Sequence, residues 1–552
     1  MNEIILKHVL LNAIRYEGKS NLKAVVGKLL AENPELKNNI VQVMKETSEI
    51  IKEVNSWGLE KQMQKLEKMG IKIEKKVREE VRELPPLKNV GEQVIMRMAP
   101  FPSGPLHIGN VRMAILNDEY VKKYKGKLLL VIDDTIGSKE KIPTSEAYEM
   151  IEDGLKWLGI DYHEVLKKSD RMELFYEYAE KLIKIDAVYV CECPAEVLRE
   201  NRRKGVNCNC RNQSIEKNLE KWKKMLDGFY NEGEATLRLK TSMSDPNPAF
   251  RDRVLLRICN RTHPLVGDKY HVWPMLEYSW AIDDHVLEMT HILRGKDLVM
   301  EDMMEEFIWK LFKWKHPELL HYGMIGIEGI KLSKSQSRRA IESGEYSGWD
   351  DPRTWSIQSL RKRGFRPEAI RNFILSFGMS MNDITVPVDV LYNENRKIIE
   401  PIANRYFTVF DPVEISVGDC PQISQAEEPL HPDYPKRGKR TVPVNTRKIY
   451  ISKEDYDKHQ GKEVRLIGLF NVVLDKDAKF AGNEIVQEMP KIQWVSENNV
   501  SVSIVMNDGI VKKGIAEPEV SGLSVDDIIQ FMRFGFVRLD DKKMMRFYYT
   551  HK

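Results

Sequence analysis

EQVIMRMAPFPSGPLHIGNVRMAILNDEYVKK, residues Glu92–Lys123, is the stretch that decides the fold. Glu92–Met98 reads as a short strand. Pro100–Gly104 then forms a turn that can continue neither a strand nor a helix. From Val111 to Lys123 the apolar residues fall at helical spacing. A turn feeding a helix N-terminus makes an anion pocket, because the first backbone N–H groups of the helix lack partners. His107 and Asn110 add side-chain donors at a phosphate-sized spacing. Lys127–Asp133 follows as a second strand, and its run Leu128–Ile132 is apolar throughout, as a strand buried on both faces should be. Strand, helix, strand predicts a doubly wound parallel sheet. Asp133 and Asp134 stand at its carboxyl edge, where such sheets take ligands.

A second segment completes the first. KLSKS (Lys331–Ser335), about 220 residues on, places Lys331 and Lys334 on a loop flanked by Ser and Gly. Two flexible point charges suit a triphosphate whose charge moves during reaction. HIGN (His107–Asn110) and KLSKS resemble the HIGH and KMSKS signatures of class I aminoacyl-tRNA synthetases. RMAPFPSGPLHIGN (Arg97–Asn110), DDT (Asp133–Thr135), THILRGKD (Thr290–Asp297) and GWDDPRT (Gly348–Thr354) are similar to the glutamyl branch in its archaeal form. The resemblance runs from about Arg97 to the C-terminus and is looser before it.

The resemblance implies a multidomain α/β chain. Its Rossmann-type catalytic core would be split by an inserted acceptor-stem-binding subdomain. A helical N-terminal module, a helical connecting subdomain and C-terminal β-barrel anticodon-binding domains would complete it. The expected segments are 1–90 for the N-terminal module, 91–190 and 266–330 for the core, and 191–265 for the insertion. The KLSKS loop and connecting subdomain would take 331–408, and the barrels 409–552. The reaction implied is ATP-dependent: L-glutamate becomes glutamyl-adenylate with release of diphosphate, then passes to the terminal 2′-hydroxyl of tRNA(Glu). His107, Asn110, Lys331 and Lys334 would serve catalysis, with Pro105, Gly109 and Ser333 also at the ATP. Mg²⁺ would accompany the nucleotide, held mainly by phosphates.

Glutamate has two carboxylates and one ammonium, so its site needs a guanidinium and acidic or polar groups. The resemblance assigns Arg97, Ser103, Asp133, Tyr278 and Arg294 to it. Two positions depart from the family pattern. Val131 stands where an arginine is usual. Leu276 stands where a tyrosine is usual, and either Tyr278, from a shifted position, or a water would fill that space. A glutaminyl enzyme is the nearest alternative, and a catalytically inactive tRNA-binding protein a more distant one. Whether tRNA(Gln) is charged as well stays open.

Composition sets wider bounds. At 552 residues, 42 % hydrophobic and 31 % charged, the chain has room for several cores in a soluble protein. A net charge of +3 neither demands nor excludes a nucleic-acid partner. No stretch has the apolar length of a signal peptide or membrane span, so a cytoplasmic protein, expected to be a monomer, is the plain reading. Six cysteines do not make a disulfide framework. Four of them form two close pairs, Cys191 with Cys193 and Cys208 with Cys210, with fourteen residues between the inner two. Two thiol pairs across a short loop suit a structural Zn²⁺. Arg199, Arg202, Arg203, Lys204 and Arg211 beside them suit phosphate contacts.

Asn2–Leu30 and Asn38–Val54 have apolar residues at helical spacing, punctuated by Gly18, Gly27 and Asn33-Pro34. Leu59–Leu84 is rich in Lys and Glu, broken at Gly70 and closed by Pro85-Pro86. This is a helical arm, either docking a partner protein or touching tRNA. After KLSKS, Ile357–Lys362, Pro367–Phe377 and Asn393–Tyr406 read as helices, while Val286–Met289 with THILRG reads as strand and turn. From about Val409 short β-rich runs take over, as barrels require. Basic residues at Lys436, Arg437, Lys439, Arg440, Arg447 and Lys448, and the Arg533–Arg538 stretch with Phe534 and Phe536, are candidate anticodon contacts.

Overall fold

The computed structural model describes residues 2–552 except 16–17, 34–35, 37–38, 70–82 and 139–141. The chain divides into two units, Met1–Glu80 and Val81–Lys552.

The first unit packs α1 (Asn2–Arg15), α2 (Leu22–Glu32), α3 (Ile40–Asn55) and α4 (Leu59–Lys68) around one small core. Ile5, Val9 and Ala13, four apart on α1, are fully buried, as an apolar helical row should be. The Asn21 side chain caps α2 by accepting from the Ala24 N–H. Gln62 on α4 is buried, and its amide donates to the carbonyls of Gly18 and Val54 at 3.0 and 2.8 Å. The expected breaks at Pro34 and Gly70 and most of the charged run after Lys68 lie outside the described residues. Leu84 and Leu87 pack into the core of the second unit, so the division falls before residue 90.

The second unit starts from the quoted stretch. β1 (Ile95–Met98), α5 (Val111–Tyr124), β2 (Lys127–Ile132), α6 (Ser145–Trp157) and β3 (Glu164–Lys167) give a parallel sheet of order β1-β2-β3. Alternate residues of β2 enter different cores. Leu128, Leu130 and Ile132 pack on one face, and Leu129 and Val131 on the other. Val131 is thereby committed to apolar packing.

α7 (Met172–Lys184) leads into an inserted antiparallel sheet, β4 (Val188–Cys191), then α8 (Ala195–Lys204), α9 (Ile215–Leu226), β5 (Thr236–Leu239), β6 (Val254–Ile258) and β7 (Val272–Pro274). The chain returns through α10 (Leu276–Val286) to β8 (His291–Gly295), α11 (Val299–Phe312) and β9 (Glu318–Tyr322). β8 and β9 are parallel. Thr290 joins this pair to β1: its N–H and its hydroxyl reach the Ile95 carbonyl at 3.0 and 3.2 Å. Val286–Met289, expected as strand, instead ends α10. Glu288 takes a left-handed φ of 56° there, which stops the helix before the strand begins at His291.

β10 (Ile325–Ile327) precedes KLSKS, and α12 (Lys334–Glu342) starts within it. α13 (Ile357–Lys362) and α14 (Pro367–Leu375) follow, then β11 (Ile384–Val386), parallel to β10, and α15 (Asp389–Ile399). The helix expected to reach Tyr406 stops at Ile399, and Asn404–Tyr406 is a strand. Pro401 has no N–H to extend the helical ladder.

Two seven-stranded sheets complete the chain. One is built from 404–410 and 500–551, the other from 412–496, so the second is nested in the first. In each sheet the two edge strands are consecutive pieces of one segment: 404–406 with 408–410, and 491–492 with 495–496. Each sheet therefore closes on itself and leaves no long open edge. No helix among the described residues is long and apolar enough to cross a membrane.

Candidate active site and cysteine centre

The HIGN and KLSKS segments meet. A cleft of ≈460 Å³ opens at the carboxyl edge of the parallel sheet, lined among others by Ser103, His107, Gly109, Asn110, Asp133, Lys334 and Arg338. Two contacts hold its floor. The Ile108 N–H donates to the Trp355 carbonyl at 3.2 Å, and the Ile357 N–H to the Leu106 carbonyl at 2.9 Å. The turn itself needs glycine: Gly104 has φ of 144°, and a Cβ there would stand 2.6 Å from the Trp349 ring. A Cβ at Gly109 would press on the His107 ring at 3.1 Å.

His107 accepts from the Gly109 N–H through Nδ1 at 3.1 Å. Burial, and then the charge of Lys334, push its pKa down to about 3. The ring is neutral, with its proton on Nε2, and acts as an uncharged donor. Lys334 begins α12, and its ammonium donates to the carbonyls of Gly104 and Phe101 at 3.1 and 3.4 Å. Burial, and then the charge of Arg338, lower it to about 8. Arg338, one helical turn later, donates to the carbonyls of Ser103 and Ile142. Two cations on one helix face thus grip the phosphate-type turn. Spacing of four residues on α12 is the signal that could have found Arg338.

Other expected residues sit elsewhere. Lys331 is exposed and does not line the cleft. Ser333 caps α12, accepting from the Gln336 N–H, and Pro105 is buried under the turn rather than lining the cleft. Asn110 lines the cleft, and its Oδ1 has no partner among the described residues. Asp133 lines it too, whereas Asp134 turns inward to Tyr148 and Ser169.

Of the expected glutamate residues, Ser103 and Asp133 line the cleft, whereas Arg97, Tyr278 and Arg294 do not. Tyr278 is fully buried and donates to the Phe175 carbonyl at 2.6 Å. It lies two residues from Leu276 on a helix, hence on another face; Leu276 and Trp280, four apart, face the cleft instead. Arg97 and Arg294 do not line the cleft either. Arg97 is held by Asp284 through both its Nε and an Nη, the latter at 2.8 Å. Arg294 is held by Glu305 at 2.8 and 2.9 Å and by Asp302. Burial pushes the Glu305 carboxyl up to about 7 against the pull of Arg294. Lys168, not anticipated, is fully buried between the Ser279 hydroxyl at 2.7 Å and Asp133 at 3.4 Å. Arg97, Lys168 and Arg294 all lie over the Trp280 ring, at 4.7, 5.0 and 5.0 Å.

The family models for tRNA synthetases class I (E and Q) cover almost the whole second unit. The catalytic-domain model matches residues 93–401, and two anticodon-binding-domain models match 403–491 and 491–540. The chain belongs to the class I tRNA synthetases of the E and Q group. It is 43 % identical over 560 residues to the glutamate–tRNA ligase of Thermococcus onnurineus, covering 98 % of this chain and 97 % of that one. The glutamate–tRNA ligase of Thermococcus kodakarensis is 44 % identical over 563 residues, with 98 % and 97 % covered. That of Methanocaldococcus jannaschii is 42 % identical over 553 residues, with 98 % of each covered.

In this synthetase the four paired cysteines of the insertion come together. Their Sγ atoms lie within 4.8 Å of one another. Cys191 and Cys208 are 3.7 Å apart, and Cys193 and Cys210 3.9 Å. Four thiolates ~2.3 Å from a tetrahedral metal stand ~3.8 Å apart, so the spacing fits zinc and is far too long for disulfides. Arg238 points an Nη at Cys191 and Cys208, at 3.7 and 3.8 Å. A cation suits a centre carrying excess thiolate charge. Among the neighbouring basic residues Arg199 is exposed. Arg203 and Lys204 pair with Glu200, Arg202 holds the Pro248 carbonyl and Arg211 pairs with Asp252.

The basic residues expected in the synthetase's barrels divide the same way. Arg440 is buried against Glu517, and Arg437 holds the carbonyls of Pro401 and Ile402. Arg533 is paired with Asp455, and Phe536 is buried. Phe410, Phe534, Lys512 and Lys513 line an open groove of ≈510 Å³ between the barrels.

Proposed function

We propose that this synthetase is a glutamate–tRNA ligase acting on ATP, L-glutamate and tRNA(Glu) in the cytoplasm. The observation that carries the reaction is the meeting of the two signature segments in one cleft, with Lys334 3.1 Å from the turn that holds His107. The glutamate assignment is supported by archaeal relatives of that name over nearly the full length.

In the first step the α-carboxylate of glutamate attacks the α-phosphorus of ATP. The P–O bond to diphosphate breaks, and charge grows on the leaving group. Lys334 and Arg338 exchange carbonyl partners for that charge, and the neutral His107 donates from Nε2 near the α-phosphate. Mg²⁺ would screen the phosphates; Asp133 and Asp297 are the carboxylates lining the cleft among the described residues. In the second step the terminal 2′-hydroxyl attacks the acyl carbonyl, its proton is lost, and AMP leaves. The mixed anhydride is reactive, so this step needs orientation more than a strong base.

Cys191, Cys193, Cys208 and Cys210 would hold a structural Zn²⁺ that stiffens the insertion against the acceptor end of the tRNA. The groove beside Phe534 and Lys512 fits an unstacked anticodon base. The N-terminal helices would serve as a docking arm.

A second reading, glutamine as substrate, draws on the ion pairs of Arg97 with Asp284 and of Arg294 with Glu305 and Asp302, which already neutralise both guanidinium charges. Competition decides between them. Purified enzyme should charge tRNA with radiolabelled glutamate in preference to glutamine and show weak pyrophosphate exchange without tRNA. Preference for glutamine would reverse the assignment.

A further inference from the structure

Arg363, just past α13, is fully buried, yet no carboxylate among the described residues pairs with it. Its guanidinium rests on neutral acceptors. Nη2 donates to the Thr550 carbonyl at 2.9 Å and to the Tyr392 hydroxyl at 3.3 Å, and Nε to the Tyr549 carbonyl at 3.3 Å. The Thr550 hydroxyl donates back to the Arg363 carbonyl. Tyr549 and Thr550 belong to the strand Arg546–His551, in the sheet built from 404–410 and 500–551. An unpaired buried cation is a costly way to fasten a strand, since an apolar side chain of similar volume would pack there without the desolvation penalty. What the guanidinium adds is its face, which lies over the Trp355 ring at 4.8 Å.

Trp355 is strained where Arg363 meets it. Its φ of 54° is left-handed, a conformation that bulky side chains rarely adopt and that persists only where neighbours hold it. The backbone on either side is held. The Thr354 hydroxyl donates to the carbonyls of Trp349 and Asp351 at 2.8 and 2.9 Å, and the Ser356 hydroxyl to the Trp349 carbonyl at 2.6 Å. Arg363 covers the ring. This conformation aims the Trp355 carbonyl at the Ile108 N–H, 3.2 Å away inside HIGN, and pairs Ser356 with His107 as an antiparallel bridge. Relaxation of Trp355 toward ordinary backbone would turn that carbonyl away and shift His107 with it.

We propose that Arg363 is a positioning residue for adenylate formation: anchored on the strand Arg546–His551, it holds the Trp355 ring and, through the Trp355 carbonyl, sets the HIGN turn. Arg363 touches no substrate and acts only through Trp355. The inference rests on the reading of the cleft as the site of ATP-dependent activation.

Arg363→Met in the full chain tests it, because methionine fills similar space without charge or donors. Removing an unpaired buried charge lifts its desolvation cost, so the thermal midpoint should stay near that of wild type. Single-turnover adenylate formation with tRNA present should fall ~10–100-fold, the scale of a small misplacement at a reacting centre, while tRNA affinity and KM for glutamate hold. Arg363→Lys keeps a cation over the ring and one donor, so its rate should lie between the two. A lowered midpoint with an unchanged rate per folded molecule would make Arg363 purely structural and overturn the proposal. Trp355→Leu removes the ring from the other side. It should lose as much rate as Arg363→Met, and the double variant should be no slower than either alone. An unchanged rate in Trp355→Leu, or losses that multiply in the double variant, overturns the proposal, the former even where Arg363→Met does not fold. Wild type that forms no adenylate from any amino acid, with tRNA present, overturns the reading of the cleft and the inference together. Wild type that forms adenylate, with both single variants indifferent, overturns the inference alone.

Discussion

Lys334→Ala separates chemistry from stability at the KLSKS segment. In the structure the ammonium donates to two neutral carbonyls, at 3.1 and 3.4 Å, and its pKa is lowered from 10.5 to about 8 by burial and Arg338. The unfolded amine holds its proton up to its ordinary value, the folded one only to about 8. Between those values the unfolded chain binds more protons, so stability rises with pH across that window, and the full cost stands below it. That cost is about 3 kcal/mol at one pKa unit per ~1.4 kcal/mol, against two hydrogen bonds of similar total worth. Alanine should therefore leave the thermal midpoint at pH 7 within a few degrees of wild type. Catalysis should not survive as well. A charged donor used in the transition state contributes ~3–4 kcal/mol, so adenylate formation should fall ~10²–10³-fold while tRNA affinity holds. The same lowered pKa predicts that kcat/KM for ATP declines above about pH 8 in wild type, as the free enzyme loses this charge. Lys334→Arg, always protonated, should abolish that decline. Single-turnover adenylate formation, filter binding of tRNA and a pH series measure these quantities. A loss of tRNA affinity as large as the loss of rate, or a rate loss under tenfold, would refute the role given to Lys334.

Gly104→Ala places a methyl against the Trp349 ring at a φ of 144°, and strain plus overpacking should cost ~2–5 kcal/mol. Calorimetry should show a lowered midpoint together with weakened ATP binding; an unchanged midpoint would contradict the close approach. Protein purified without chelator should carry close to one zinc per chain by metal analysis, and Cys208→Ser should lose it. Proteolysis within Cys191–Arg211 should appear before any change in ATP or glutamate affinity, and zinc-free enzyme with full charging activity would remove the metal from this account.

Much of the site was legible because its parts are local. A strand, a Pro/Gly turn and a helix starting at Val111 are each specified by neighbours a few residues apart, and the helix found is Val111–Tyr124. The alternation that buries β2 on two faces is written in Leu128–Ile132 alone. Cys-x-Cys pairs announce a cluster, because two thiols on one short loop can go nowhere far apart. The KLSKS helix carries its own cap in Ser333, and helical spacing from Lys334 points to Arg338.

What stayed hidden depends on partners distant in the chain. Arg97 finds Asp284 187 residues away, and a guanidinium that looks ready for substrate is already paired. Tyr278 and Trp280 are two residues apart on α10, but which of them faces the cleft depends on how the helix packs against α7, through Tyr278 and the Phe175 carbonyl. Helical periodicity continues from Asn393 to Tyr406, but the helix ends at Ile399 because Pro401 breaks the hydrogen-bond ladder. Strand-rich grammar revealed β domains, but not that 412–496 is nested within a sheet built from 404–410 and 500–551. Local periodicity, turn chemistry and motif spacing, set by backbone sterics over a few residues, belonged to the sequence. Pairing of buried charges, the facing of α10 and barrel closure were decided only in the tertiary structure, because low-dielectric burial makes each charge seek whichever counter-charge the fold brings near.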